Sequence, residues 1–343
     1  MVQLGNTLVK FEYSSGILFY KYAGGRRLFL ILKRGKSIDI PKGHIESGEN
    51  IYTAAIRESF EETGIKSEPD PFFRHYLTYW LKGKDDAIKK KVTMFIARVS
   101  PSVEVRISDE HSSSEWMDKE ECMKAMHFKQ HIQLINHADL YINKKEELDK
   151  INADYARLPK KDGFALSHRF VPGEGPCDAE IMIIGQAPGA NEDLHLRPFI
   201  GRAGRLLDTM LKHASLRRKD IYITSVVQFF PPENRQPTKE EIEMCLPFLK
   251  REISVVGPKL IICLGRVSSK LLTGFDDIRE IHGKCYPVKL LEVPAECFVT
   301  MHPAAGVRFK KNIPLIRRDF AKLKNIVKEM NSKKDKSESK ESQ

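Results

Sequence analysis

No stretch of this sequence approaches the roughly 20 consecutive apolar residues that cross a bilayer, and Met1-Val2-Gln3-Leu4-Gly5 shows no basic segment leading into an apolar one. A membrane partner and a secretory leader are therefore not expected, whereas a soluble, cytoplasmic, intracellular protein is. Cysteine is sparse and scattered. Cys122, Cys177, Cys245, Cys263, Cys285 and Cys297 include no C-x-x-C pair, which argues against a disulfide framework or a zinc clip and suits buried thiols. The end of the chain, from Asn331, has no aromatic residue and is rich in Lys, Ser and Glu. Such a composition cannot bury a core, so residues 329–343 are expected to be a disordered tail.

What is present divides in two. A chain of 343 residues is long for one core and comfortable for two. Residues 1–150 carry only +2 of the formal net charge of +11. The remaining +9 favours a polyanionic partner such as DNA for the C-terminal part, with a merely soluble basic face as the plain alternative.

Apolar runs at Gly16–Tyr20, Leu28–Leu32, Tyr76–Trp80 and Val92–Val99 surround one helical stretch, Ile51–Thr63, and predict a mixed sheet with helices packed on it. A second helix is expected from Lys119 to about Asp139, followed by the charged segment Asn143–Lys150 as a linker or connecting helix. Farther on, uninterrupted apolar runs at Ile181–Ile184, Ile221–Val227, Leu260–Leu264 and Cys297–Thr300 read as strands buried on both faces of a largely parallel sheet. The expected division is a first domain at 1–145, a linker at 146–164, a second domain at 165–328 and the tail. Each of the later runs is followed by an unusual loop: Gly185-Gln186-Ala187-Pro188-Gly189, Phe229–Arg235, Gly265-Arg266 and His302-Pro303-Ala304-Ala305. Ligands of open α/β sheets sit at such carboxyl ends of strands, so these loops outline a site.

In the first domain Gly43, Glu49, Arg57, Glu58, Glu61, Glu62, Gly64 and Ile65 fit the pattern G-x5-E-x7-R-E-U-x-E-E-x-G-U, in which U is apolar, and only Ser59 departs from it. On a helix Glu58, Glu61 and Glu62 share one face, where like charges cost roughly 0.2–0.5 kcal/mol per pair unless a cation offsets them. Hard divalent cations prefer such oxygen donors. The pattern resembles the Nudix hydrolases, which implies an α/β/α sandwich, Mg²⁺ (or Mn²⁺) held by the Gly43 carbonyl with Glu58, Glu61 and Glu62, and hydrolysis of a pyrophosphate link in which Glu58 and Glu62 are catalytic. Pro41-Lys42-Gly43-His44-Ile45-Glu46, Val105–His111, Trp116 and Phe128 are further similar to the asymmetrical diadenosine tetraphosphatases over roughly residues 12–140. That likeness implies a nucleoside or dinucleoside polyphosphate as substrate, Lys42 as a substrate-binding residue, and Glu110 as a further metal ligand or base. The adenine-stacking aromatic of those enzymes falls at Met94, with Phe95 on the opposite face of a strand. Lys89, Lys90 and Lys91 are either a grip for polyphosphate or a soluble turn.

The second domain resembles the family-4 uracil-DNA glycosylases from about 165 to 325. The likeness rests on Gly185–Gly189 with Glu192-Asp193 and Arg197–Gly201, on Pro231–Pro237, and on His302–Ala305. It implies an α/β/α fold in which Gln186, Ala187, Pro188 and Gly189 bind substrate and Phe199 receives a flipped base. It also implies that His302 donates to the departing base, Glu192 supplies a carboxylate near the sugar or water, Asn234 positions the reaction centre, and Arg308 meets the DNA backbone. Three departures stand out. Gln186 replaces a glutamate, Ser225 replaces the base-reading asparagine, and only Cys245 remains of four cluster thiolates, with Phe229 in the place of another. No iron-sulfur cluster is expected. A working glycosylase with altered base choice and an inactive DNA-targeting module both remain open.

Overall fold

Two sheets form, each from its own stretch of chain. A computed structural model describes residues 2–4, 7–35, 37–82, 87–158, 169–290 and 295–341. Its contacts divide the chain between Asn143 and Lys144. The expected linker residues 159–164 and the tail residues 342–343 lie outside the described residues.

The first unit contains β1 (Val2–Leu4), β2 (Thr7–Ala23), β3 (Arg26–Arg34), β4 (Ser37–Asp39), β5 (Lys42–His44), α1 (Ile51–Thr63), β6 (His75–Lys82), β7 (Ala87–Arg98), β8 (Ser113–Met117), α2 (Lys119–Ala125) and the start of α3 (Lys129–Ala156). The sheet order is β4-β3-β2-β7-β6, with β1 and β5 on β2 and β8 on β3. β2 and β7 run parallel while the other pairs are antiparallel, so the sheet is mixed. Ile17, Phe19, Phe95 and Ala97 pack with Ala55 of α1 on one face. α3 joins β6 through Tyr79–His131 and through Gln130, whose amide pairs with both the N–H and the C=O of Thr78 and so caps this edge strand.

The single helix expected from Lys119 to Asp139 is instead two. α2 ends at Ala125, followed by the extended Met126, and α3 starts at Lys129 and continues through the charged segment to Ala156. Lys- and Glu-rich sequence without Gly or Pro favours helix, which accounts for the continuation.

The second unit comprises β9 (Ile181–Gly185), α4 (Ala190–His195), α5 (Arg202–His213), β10 (Tyr222–Ser225), α6 (Lys239–Val256), β11 (Leu260–Leu264), α7 (Arg266–Thr273), α8 (Ile278–Ile281), β12 (Lys284–Pro287), β13 (Glu296–Thr300), α9 (Pro303–Arg308) and α10 (Ile313–Glu341). The order is β10-β9-β11-β13-β12, parallel except for the edge strand β12. Every residue of β9, β10 and β11 is buried, as strands between two helix layers require. Leu207 and Met210 of α5 and Ile316, Phe320 and Leu323 of α10 cover one face, and α7 packs on the sheet at β9, β11 and β13. α10 runs on to Glu341, into the segment whose composition predicted disorder. That segment lacks Gly and Pro, and its Lys and Glu residues sustain a helix. Among the described residues no helix is long and apolar enough to cross a membrane.

Candidate active sites

In the first unit α1 is set by its ends. Asn50 accepts the amides of Tyr52 and Thr53, and Gly64 closes the helix in the left-handed conformation. Ala54, Ala55, Ser59 and Thr63 form the buried face. Ser59 has a specific partner here: its Oγ accepts the amide of Ile17 in β2 at 3.0 Å, a bond that the usual apolar residue cannot make.

The opposite face carries the carboxylates. Glu58 lies so close to Gly43 that a Cβ there would fall 1.8 Å from Oε2, which explains the glycine. Arg57 spreads over several partners, with Nη1 3.0 Å from Glu58 and 3.2 Å from Glu61, and Nε and Nη2 both on Glu49. Glu62 accepts the amide of Lys42 at 3.0 Å, and burial pushes its carboxyl up to about 7. Gly43, Lys42, Glu58 and Glu62 are thus brought together. Glu61 is turned toward Arg57 and is largely exposed, and Glu110 stands exposed on a turn. That turn approaches the helix through its backbone, as Ser108 N–H donates to the Glu62 carbonyl at 3.2 Å. Among the described residues no three of His, Cys, Asp and Glu converge as a finished metal cage. The donors themselves are hard oxygens, one of them a desolvated carboxylate, and fit Mg²⁺ or Mn²⁺ in kind.

Asp39, Tyr79 and His131, which the sequence pattern did not single out, also have specific partners in this unit. Lys42 Nζ pairs with Asp39, and Tyr79 Oη lies 2.8 Å from His131 Nε2. Met94 is fully buried and Phe95 is in the core beside Tyr52, so neither offers a stacking face. Phe128, just before α3, is an exposed ring.

In the second unit the loops converge on a cavity of about 460 Å³ at the carboxyl end of the sheet. Gln186, Ala187, Pro188, Gly189, Glu192, Phe199, Ser225, Asn234, His302 and Arg308, all anticipated from the sequence, line it together with Gln236 and Phe309, which were not. Phe199 adopts φ 52°, costly for an aromatic residue. Arg218 holds that turn by donating to the carbonyls of Pro198 (2.6 Å) and Phe199 (3.1 Å). Nothing in the pattern around Arg218 signals that task. The ring of Phe199 lies over Gly185, where a Cβ would come within 2.4 Å of Cζ. Its centroid is 5.7 Å from that of His302.

Glu192 is buried and fully engaged. Oε1 accepts the amides of Ile200 (3.0 Å) and Gly201 (2.7 Å), and Oε2 accepts that of Gly189 (3.2 Å). It therefore ties both limbs of the Phe199 loop together while standing in the cavity wall. Glu233 and Asn234 are both left-handed, an unusual consecutive pair that turns Asn234 inward. His302 caps α9, with Nδ1 accepting the amide of Ala304 at 3.1 Å. Burial pushes its imidazole down to about 4, only partly opposed by Glu192.

A four-thiolate cluster does not fit this unit. Cys245 is buried beside Tyr155, and burial raises its thiol to about 11. Tyr155 stacks on Phe248 at 4.5 Å and meets Phe229 and Phe170 at 5.5 and 5.1 Å. Among the described residues, no group of three Cys, His, Asp or Glu side chains gathers there.

Residues 172–330 match the model of the uracil DNA glycosylase superfamily, and residues 13–138 match that of the NUDIX domain. The type-4 uracil-DNA glycosylase of Sulfurisphaera tokodaii is 38% identical over 188 residues, covering 53% of this chain and 86% of that protein. The type-4 enzyme of Pyrobaculum aerophilum is 43% identical over 157 residues, covering 44% and 78%. A crystal structure of a C. elegans Ap4A hydrolase binary complex aligns over 38% of this chain and 98% of its own, at 25% identity and a TM-score of 0.34. The chain belongs to the uracil-DNA glycosylase superfamily, with type-4 enzymes among its relatives. Ahead of that domain it carries a Nudix domain.

Proposed function

We propose that the chain joins two hydrolases of nucleic-acid maintenance: a Nudix pyrophosphohydrolase of nucleoside or dinucleoside polyphosphates, and a DNA glycosylase that removes uracil or other deaminated bases. The observation that carries the second activity is the pairing of Phe199 with a neutral His302 in one cavity. Glycosidic cleavage builds negative charge on the leaving base and positive charge on the sugar. Phe199 offers a face for the flipped base. Since Nδ1 of His302 is an acceptor, the neutral ring carries its proton on Nε2, a donor for the base oxygen on which charge grows. Glu192 is a fixed negative wall facing the sugar as well as a brace for the loop, and Asn234 positions the reacting atoms. Gln186 cannot act as a base, which leaves Glu192 as the carboxylate of the reaction. Arg308, on the rim, meets the phosphate backbone.

In the Nudix domain Gly43, Glu58, Glu61 and Glu62, with Glu110 as a further ligand or base, would hold Mg²⁺ or Mn²⁺. The bound metal would polarise the phosphoryl group and lower the pKa of water. Lys42 neutralises phosphate charge at that edge, and Arg57 orients Glu58 and Glu61. Full-length protein should be incubated with Mg²⁺ and a nucleotide panel, and separately with oligonucleotides bearing uracil, hypoxanthine or xanthine. Turnover in both assays supports the reading. Absence of any base release alongside retained DNA binding would leave the second unit a targeting module.

A further inference from the structure

The run Lys89-Lys90-Lys91 is split by the strand that carries it. Successive side chains of β7 point to opposite faces. Lys90 shares its face with its register partners Glu12 of β2 and Tyr79 of β6. Lys89 and Lys91 lie on the other side, where the register aligns Phe11–Lys89–Trp80, Tyr13–Lys91–Thr78 and Ser15–Thr93–Tyr76 across β2, β7 and β6. α1 covers this face only from Ser15 onward, where Ser15 Oγ donates to the Ile51 carbonyl at 2.6 Å. The rest is open: Tyr13, Tyr76 and Trp80 are 54%, 62% and 57% exposed, and the ammonium of Lys89 sits 5.0 Å from the Trp80 ring. None of these strand positions is acidic. Three exposed rings are more apolar surface than a mere solvated face needs, and the lysines between them are complementary to phosphate.

We propose that this aromatic and lysine-bearing face of β2, β7 and β6 is a binding platform for single-stranded DNA, separate from both catalytic sites. Bases stack on exposed rings irrespective of sequence while lysines track the backbone, the combination used wherever single strands are held without base reading. The choice of DNA over RNA rests on the glycosylase reading of the second unit, whereas the platform itself stands on the face alone.

The chain has two tryptophans, Trp80 and Trp116, so the indole at the platform can be read directly. Full-length protein should be titrated with an unmodified oligo-dT of about 15 nucleotides at low salt, following tryptophan emission and, in parallel, anisotropy of a labelled strand. The expected result is saturable quenching that disappears in Trp80→Phe, while Trp80→Phe keeps most of the affinity. Tyr76→Ala and Trp80→Ala should each weaken binding by about tenfold. The surface pair Lys89→Gln and Lys91→Gln, which disturbs no core residue, should reduce the slope of log affinity against log salt by about 1.4. Unchanged quenching in Trp80→Phe together with unchanged affinity in the lysine pair would overturn the proposal. So would emission that changes on dilution without DNA, which makes the face an interface between copies, or tighter binding of oligo-U RNA than of oligo-dT. Because Trp80 reports on the platform alone, failure of uracil excision would leave the platform standing and reopen only the choice of DNA over RNA.

Discussion

The amide of Ala304 donates to Nδ1 of His302 at 3.1 Å and thereby places the ring proton on Nε2. Together with a pKa pushed from the usual 6.5 to about 4 by burial, this makes His302 a neutral donor at any physiological pH. The sign for stability follows. The folded state resists protonation, so this contribution is present above pH 6.5 and is lost as pH falls from 6.5 toward 4, by on the order of 3 kcal/mol at the end of that range. His302→Gln should flatten the pH dependence of denaturant midpoints in that window relative to wild type. Single-turnover base release by His302→Ala should fall by about 10²–10³-fold, and the wild-type rate should show no inflection near pH 6.5 from this group.

Ser225 predicts poor selectivity. It is buried at the cavity wall and offers one hydroxyl where an amide would present a donor and an acceptor together. Ser225→Asn should raise uracil excision relative to hypoxanthine and xanthine by about 1–2 kcal/mol in transition-state terms. Matched oligonucleotides in single-turnover cleavage give the comparison. High uracil selectivity of the wild type, unimproved by the change, would contradict the assignment.

Glu252 runs the opposite way to His302. It is enclosed in α6 and receives Tyr222 Oη (2.8 Å), Thr224 Oγ1 (3.1 Å) and Gln228 Nε2 (2.8 Å), yet burial raises its carboxyl to about 7. Its contribution is present below pH 4.5 and is lost as pH rises from there through 7. Gln228 Oε1 is buried without a partner. A protonated Glu252 facing a rotated Gln228 amide would supply one. Glu252→Gln should therefore be at least as stable as wild type at pH 8, with an advantage of up to about 3 kcal/mol, and should lose the slope between pH 4.5 and 7. A large loss of stability at pH 8, measured by urea unfolding, would show that the carboxylate is needed charged.

The Nudix carboxylates invite a two-part test. Glu62→Gln should abolish metal-dependent hydrolysis, as should chelation of the wild type. Gly43→Ala, whose methyl would collide with Glu58, should impair the same activity although no donor atom is removed. Nucleotide hydrolysis at saturating Mg²⁺ measures the two variants, and the same assay in excess chelator measures the wild type without metal. Full activity in chelator would exclude the proposed chemistry.

Local signals explain what could be read in advance. Ile51–Thr63 is bounded by Asn50 and Gly64, and the buried strands β9 and β11 announce themselves as unbroken apolar runs. The break between α2 and α3 was hidden because Met126-His127-Phe128 contains no Gly or Pro. The left-handed Phe199 and its brace Arg218, separated by many residues, are products of tertiary packing that local pattern does not encode. The lysine run read as either a polyphosphate grip or a soluble turn, whereas strand alternation gives its members two destinations.

Tyr155 belongs to the last turn of α3, yet its ring stacks on Phe248 and its hydroxyl accepts the amide of Gln228 at 3.3 Å. The piece of chain that folds around the glycosylase sheet thus begins at Lys144, well before residue 172, where the family likeness starts. Cutting at residue 165 would strip a stacked ring from Phe248 and an edge from Phe229, leaving an apolar wound in an otherwise intact sheet. A protease acting in the stretch after Ala156 would release a glycosylase unit prone to aggregate, whereas a cut before Lys144 would leave it whole.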